Sequence, residues 1–183
     1  VFAIASTFAL ADIMVAQGRL QEAVKAYQQS LQLASEKDEH VQRVIAHQYL
    51  GLAMLYHEMG DREAAAQHLL KSKELGKQST LPDWPNRWCL AQARLKEAEG
   101  DLEAALDLLD EAKRLYVRNT LPDIRPIEAL KARVYIRQGR LPRALAWVRE
   151  RGLAVDDDLS YLREFEHVTL ARVLIAMTSS PIA

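Results

Sequence analysis

The sequence predicts an all-α superhelical array of helical hairpins, an α-solenoid with a period of about 40 residues. Three observations carry this prediction. Four segments align without gaps around a glycine: QGRLQEAVKAYQQSL, MGDREAAAQHLLKSK, EGDLEAALDLLDEAK and QGRLPRALAWVRERG, in which Gly18, Gly60, Gly100 and Gly139 follow one another at steps of 42, 40 and 39. Alanine stands five residues after each glycine (Ala23, Ala65, Ala105, Ala144) and seven before it (Ala11, Ala53, Ala93, Ala132). The tetrapeptide TLPD occurs at Thr80–Asp83 and again at Thr120–Asp123, 40 residues on.

The elements follow in chain order. Nine helices are expected, at about 2–17, 20–35, 40–59, 62–75, 84–99, 102–117, 124–138, 141–151 and 158–178. They group into units of about 1–38, 39–79, 80–119 and 120–157, with a partial unit over 158–183, all in a single domain spanning 1–183. The opening stretch VFAIASTFALADIMVAQG is apolar, but it contains Asp12, lacks a basic leader and runs directly into amphipathic helix, unlike a signal peptide. It begins in mid-pattern without an initiator Met, so the chain reads as a fragment of a longer protein. In the second unit Leu50, Ala53, Leu55 and Tyr56 before Gly60, and Ala65, Leu69 and Leu70 after it, keep helical spacing. The glycine closes the first helix by adopting a left-handed conformation. Asp61 and Asp101 then cap the second helices with their carboxylates. The paired alanines are expected where the two helices cross, since only a small side chain permits close approach there. In the TLPD seams, Pro82 and Pro122 cannot continue the preceding helix, Asp83 and Asp123 cap the next, and Pro85 and Pro126 fall in its first turn. The last helix, within DDLSYLREFEHVTLARVLIAM, fits the first helix of a fifth unit, with Ala171 in the crossing register.

Composition narrows the partners. Of 183 residues 49% are apolar, enough for a folded core, and the formal net charge of −1 gives no bulk attraction to nucleic acid or an anionic membrane. No apolar run reaches the roughly 20 residues of a membrane span. The single cysteine, Cys89, excludes an internal disulfide framework, suits a reducing cytoplasm and fills core space beside Trp88 and Leu90.

The small residue, G-D step and alanine at fixed offset look like tetratricopeptide repeats (TPRs). The period exceeds the about 34 residues usual for them, and the tryptophan and terminal proline of their consensus are missing. The chain more closely resembles the TPR-like helical sensor region of MalT-type, LuxR-family ATP-dependent transcriptional regulators. The resemblance is carried by LADIMVAQGRLQEAVKAYQQSLQLA (10–34), LAQARLKEAEGDLEAALDLLDEA (90–112) and LSYLREFEHVTLARVLIA (159–176). It implies a bacterial parent protein with a nucleotide-binding module on one side of the array and a promoter-binding helix-turn-helix on the other. ATP and DNA would then be handled outside this fragment, which itself needs no cofactor. The array would receive a small-molecule effector or a regulatory protein. No G-x-x-x-x-G-K-[ST] cradle and no basic helix-turn-helix segment occur in these 183 residues.

Catalytic and metal chemistry find little support. HEMGD at 57–61 lacks the second histidine of a zinc-binding helix, and His40 and His47, seven apart, are solitary as a ligand pair. Ser30, Ser72, Ser79 and Ser160 lack activating partners, so the chain is not expected to be an enzyme. The sharpest feature is an arginine ladder. ARL at 93–95 and ARV at 132–134 and 171–173 set Arg94, Arg133 and Arg172 at intervals of 39, on equivalent points of three successive first helices. In TPR-like arrays that position faces the concave groove, where guanidinium groups could hold carboxylates or phosphates bidentately. Alternatively each arginine pairs with an acidic neighbour such as Glu97 or Glu128 and solubilises the surface. Asp12, His57 and Arg137 share the groove register. Trp84 and Trp88 open the third unit near a seam, either stacking on a ligand or plugging the gap between hairpins.

The functional expectation is a non-catalytic, cytoplasmic sensor array that binds an effector or partner in its groove and relays the signal to domains elsewhere in the parent. The alternative is a generic TPR-type scaffold for a protein or peptide. Apolar flanks such as Phe2, Ile4 and Phe8 would favour self-association.

Overall fold

The computed structural model describes residues 7, 10–11, 13–34, 39–76, 82–117 and 124–179. Every regular element among them is helical. The first helix, α1, is described over residues 13–16. It is followed by α2 (Leu20–Ala34), α3 (Glu39–Glu58), α4 (Arg62–Gly76), α5 (Trp84–Glu99), α6 (Leu102–Arg114), α7 (Ile127–Arg137), α8 (Leu141–Arg151) and α9 (Glu164–Ser179), the last entered through a 3₁₀ turn at Tyr161–Arg163.

The glycine at each hairpin turn does the same work. At Gly100 the backbone is left-handed, with φ of 86°. Its N–H donates to the Glu97 carbonyl, and the following Asp101 N–H reaches back to the Lys96 carbonyl at 3.0 Å, which satisfies the orphan acceptors at the end of α5. The same six-residue closure recurs from Arg19 to Met14 (2.8 Å), Asp61 to Tyr56 (2.9 Å) and Arg140 to Tyr135 (2.9 Å). Asp101 then caps α6, its Oδ1 accepting from the Ala104 N–H, and Asp61 caps α4 through the Ala64 N–H.

These turns fold the second helix of each pair onto the first: α3 packs on α4, α5 on α6, α7 on α8. The second helices also pack on the next hairpin (α2 on α3, α4 on α5, α6 on α7, α8 on α9), and first helices meet directly, α3 with α5 and α7 with α9. The alanines lie at the crossings. Ala53, Ala65, Ala105, Ala132 and Ala144 have no exposed surface, and Ala93 retains 3%. Four apolar clusters follow along the chain, each joining one hairpin to the first helix of the next: around Tyr27 and Leu52, around Leu50 and Leu69, around Leu109 and Val134, and around Trp147 and Val173. The interior is therefore continuous through successive units, as stacked hairpins require.

Several local expectations are corrected. Asp83 stands at the N-cap of α5, but its side chain bonds none of the helix's amides. Its carboxylate accepts instead from Arg87 Nε at 2.6 Å and lies 3.5 Å from His47 Nε2 of α3, a charged neighbour and an imidazole outcompeting an amide. Pro126 is the N-cap of α7 and not part of its first turn, because its ψ of 138° is extended and its carbonyl starts the helical bonds. α7 thus begins three residues later than expected, and α6 ends at Arg114. Residues 158–160 are not helical, so α9 starts at Glu164. Ala171 is exposed, since no second helix of a fifth unit is present among the described residues to cross it. Asp123 and the apolar flanks Phe2, Ile4 and Phe8 lie outside the described residues.

Candidate binding groove

The first helices line one hollow. His57 and Glu58 at the end of α3, Arg94 and Glu97 on α5, Arg133, Ile136 and Arg137 on α7, and Phe165, Val168 and Arg172 on α9 bound a groove of about 900 Å³. Ile124, Arg125 and Tyr161 close it from the connecting segments. An adjoining hollow of about 540 Å³ reaches toward Tyr27 and Gly51 and shares Arg94, Arg125 and Tyr161. Five residues singled out from the sequence, His57, Arg94, Arg133, Arg137 and Arg172, are brought to this one surface. Asp12 lies outside the described residues.

The three ladder arginines sit in equivalent register but in different company. Arg94 pairs with Glu58 of the preceding first helix at 3.4 Å, and not with Glu97 on its own. Glu97 belongs to Arg137, whose Nη1 lies 3.1 Å from its carboxylate and donates to its carbonyl at 2.7 Å. Glu128 is engaged by Lys113 at 2.6 Å, with Lys131 at 3.9 Å. Arg133 takes no carboxylate among the described residues. Its guanidinium lies 3.8 Å from the centroid of the Phe165 ring, and its Nε donates to Thr169 Oγ1 at 3.0 Å. Thr169 is fixed in turn by donating to the Phe165 carbonyl at 2.7 Å. Arg172 is exposed and makes no hydrogen bond or ion pair with any described residue.

The electrostatics follow from this arrangement. Burial, then the like charges of Arg172, Arg125 and Arg94, bring Arg133 down to about 10, against an opposing pull from Glu97. Burial and the neighbouring Arg125 also lower Arg94. Burial lowers His57, which favours its neutral form at the rim. The groove is thus a cationic cleft inside a chain of nearly balanced charge, with an apolar wall of Ile136, Phe165 and Val168.

Some of these groups escaped sequence reasoning. Phe165 and Thr169 could have been found from Arg172, since they precede it by seven and three residues and share its face of α9. Glu58 and Arg125 carry no such signal, because their approach depends on how units stack.

The tryptophans lie elsewhere. Trp84 sits against Gly76 and donates from Nε1 to Ser72 Oγ at 3.1 Å; Ser72 donates to the Ala46 carbonyl at 2.7 Å. Trp88 donates to the Leu69 carbonyl at 3.2 Å, with the Lys73 ammonium 5.0 Å from its ring. Both span the seam between the second and third hairpins, and neither lines the groove. Cys89 is buried, which pushes its thiol up and leaves it unreactive.

Paired helices stacked around an open groove define an α-solenoid of TPR-like hairpins. The profile of the MalT-like TPR region matches residues 1–183, and the chain belongs to that family of helical-repeat interaction modules. Solved structures agree on the fold. A point variant of a Podosopora anserina protein with nearly identical TPR-like repeats, named as a kinesin light chain, is 21% identical, with a TM-score of 0.63 over 96% of this chain and 86% of that one. BtubC (BKLC) from P. vanneervenii is 18% identical, with a TM-score of 0.63 over 96% and 73%. The parent form of the Podosopora anserina protein is 18% identical, with a TM-score of 0.59 over 98% and 97%. No curated protein matches the chain. Among the described residues, no helix is long and apolar enough to cross a membrane.

Proposed function

We propose that this chain is the non-catalytic sensor array of a cytoplasmic, ATP-dependent LuxR-family transcriptional regulator. It receives an effector or a regulatory protein in the concave groove and relays occupancy to nucleotide- and DNA-binding domains elsewhere in the parent. Membership of the MalT-like TPR family supports the context. One observation carries the site: arginines from three successive first helices converge on a single groove, and two of them, Arg133 and Arg172, have no carboxylate partner among the described residues. A cation placed in a concavity without its counter-ion is suited to receive one from outside.

The test uses the parent regulator. Arg133→Gln and Arg172→Gln should abolish its response to inducing conditions in a transcription assay while leaving nucleotide binding intact. A response unchanged in the double variant removes the groove as the receiving site. A parent chain without nucleotide-binding and DNA-binding domains would leave the array as a scaffold for a protein or peptide.

A further inference from the structure

Resting on the reading of this groove as the receiving site, we propose that Arg133 and Arg172 form an oxyanion clamp for a small organic anion. Its carboxylate or phosphate group is held between the two guanidiniums, and its apolar body lies along Ile136, Val168 and Ile175.

The clamp is half built before anything binds. Phe165 supports the face of the Arg133 guanidinium at 3.8 Å from its centroid, and Thr169 occupies Nε at 3.0 Å. The two terminal nitrogens of Arg133 have no acceptor among the described residues, so a planar pair of donors is fixed in orientation and left to bind. Little side-chain entropy is then lost on binding, which is where long cationic side chains usually forfeit affinity. Arg172, on the same face of α9 as Phe165, brings a second fork to the same groove, and among the like charges it acts most strongly on Arg133. Two like charges without counter-ions repel, and an anion between them relieves both. Of the three carboxylates that line the groove, Glu58 is engaged by Arg94 and Glu97 by Arg137, and Glu164 forms no ion pair with either clamp arginine.

The shape selects a small amphiphilic anion. A hollow of about 900 Å³ is in the range that buries a metabolite-sized ligand. Beside the clamp, Val168 is 42% and Ile175 64% exposed, an apolar surface that water covers poorly. A bare inorganic anion would leave that surface wet, and a neutral apolar molecule would leave the arginines unanswered.

The experiment titrates the chain calorimetrically with phenyl phosphate, with phenylacetate and with neutral 2-phenylethanol, at low ionic strength. At least one anion should bind, the neutral analogue should bind at least tenfold more weakly, and added salt should weaken the anion. The two anions separate a phosphate from a carboxylate ligand. Arg172→Gln, at an exposed residue without a hydrogen-bond or ion-pair partner among the described residues, should weaken binding at least tenfold with the fold intact by circular dichroism, whereas Arg149→Gln on α8 should leave it unchanged. Equal binding of anion and neutral analogue, or wild-type affinity in Arg172→Gln, overturns the clamp. A polyglutamate peptide that binds through the same arginines when neither anion does overturns the small-anion assignment alone and leaves the groove as receiving site. If nothing binds and the parent's response survives the double variant, both readings fall.

Discussion

The indole of Trp84 fills the space beside Gly76 so closely that a Cβ on the glycine would stand 2.0 Å from Cζ2. One seam earlier Tyr27 does the same to Gly51 on α3, at 2.3 Å from its Cζ. Each glycine lets an aromatic ring of the adjacent hairpin approach the helix backbone directly, so hairpin spacing is set at these points.

That relationship predicts the sign of a mutation. Gly→Ala within a helix ordinarily stabilises by about 1 kcal/mol. At Gly76 and Gly51 the added methyl must displace a ring held by its neighbours, and overpacking costs about 1–3 kcal/mol. Gly76→Ala is therefore expected to destabilise, most plainly because Trp84 is also tied to Ser72 at 3.1 Å. Urea unfolding checks it; a raised midpoint would show that the ring moves aside freely.

The hairpin glycines predict a different pattern. Around Gly100 a Cβ would meet nothing within 4 Å, so only its φ of 86° resists a side chain. Gly100→Ala should cost about 1–2 kcal/mol, and Gly100→Asn less, since asparagine tolerates that region. Ala105→Leu, at a crossing with no exposed surface, should cost about 1–3 kcal/mol through packing alone. If Asn were no better than Ala at 100 in thermal unfolding, the conformational account of the turn would be wrong.

What the sequence made legible was whatever repeats. Gly18, Gly60, Gly100 and Gly139 and their flanking alanines report one local solution used four times, and periodicity reveals such solutions without coordinates. The ladder register placed Arg94, Arg133 and Arg172 on a common surface for the same reason. Their partners were hidden, because Glu58 to Arg94 and Arg137 to Glu97 are contacts between units at separations of 36 and 40 residues. Asp83 misled for a related reason: its sequence context is that of a cap, but His47 and Arg87 offer its carboxylate stronger partners than an amide. Gly51 and Gly76 gave no signal at all, being ordinary helix residues until a ring from elsewhere arrives.

Asp83 also sets a pH dependence. The hydrogen bond from His47, aided by the charge of Arg87, holds its carboxyl at about 2, below the usual 3.8. A carboxylate depressed in the folded state contributes stability that is present above pH 4 and is lost as pH falls from there toward 2. With the side chain 30% exposed, the contribution is on the order of 1–2 kcal/mol. Asp83→Asn should lower stability by that amount at neutral pH and flatten the acid limb between pH 4 and 2. Burial depresses His68, stacked against Tyr49 and Tyr56 at 5.8 and 5.1 Å, so its contribution is likewise lost on acidification, from about pH 6.5 downward. Denaturant titrations of the two proteins at a series of pH values measure both, and parallel curves below pH 4 would refute the role of Asp83.

The last seam couples stability to the groove. Glu166 of α9 is 2% exposed, and Arg151 at the end of α8 holds one of its oxygens at 2.7 Å while Arg163 approaches the other at 3.4 Å. A buried carboxylate that loses one of two cations keeps most of its desolvation penalty, so Arg151→Met should cost about 1–3 kcal/mol. Removing the charge as well, in Arg151→Met/Glu166→Gln, should recover part of that loss, since the amide no longer needs a counter-ion. Arg151 does not line the groove, but α9 carries Phe165, Thr169 and Arg172. Loosening α9 should therefore raise hydrogen exchange along Glu164–Ser179 and weaken anion binding without touching the clamp. Binding that remains at wild-type strength while α9 exchanges faster would show that the two arginines are positioned independently of this seam.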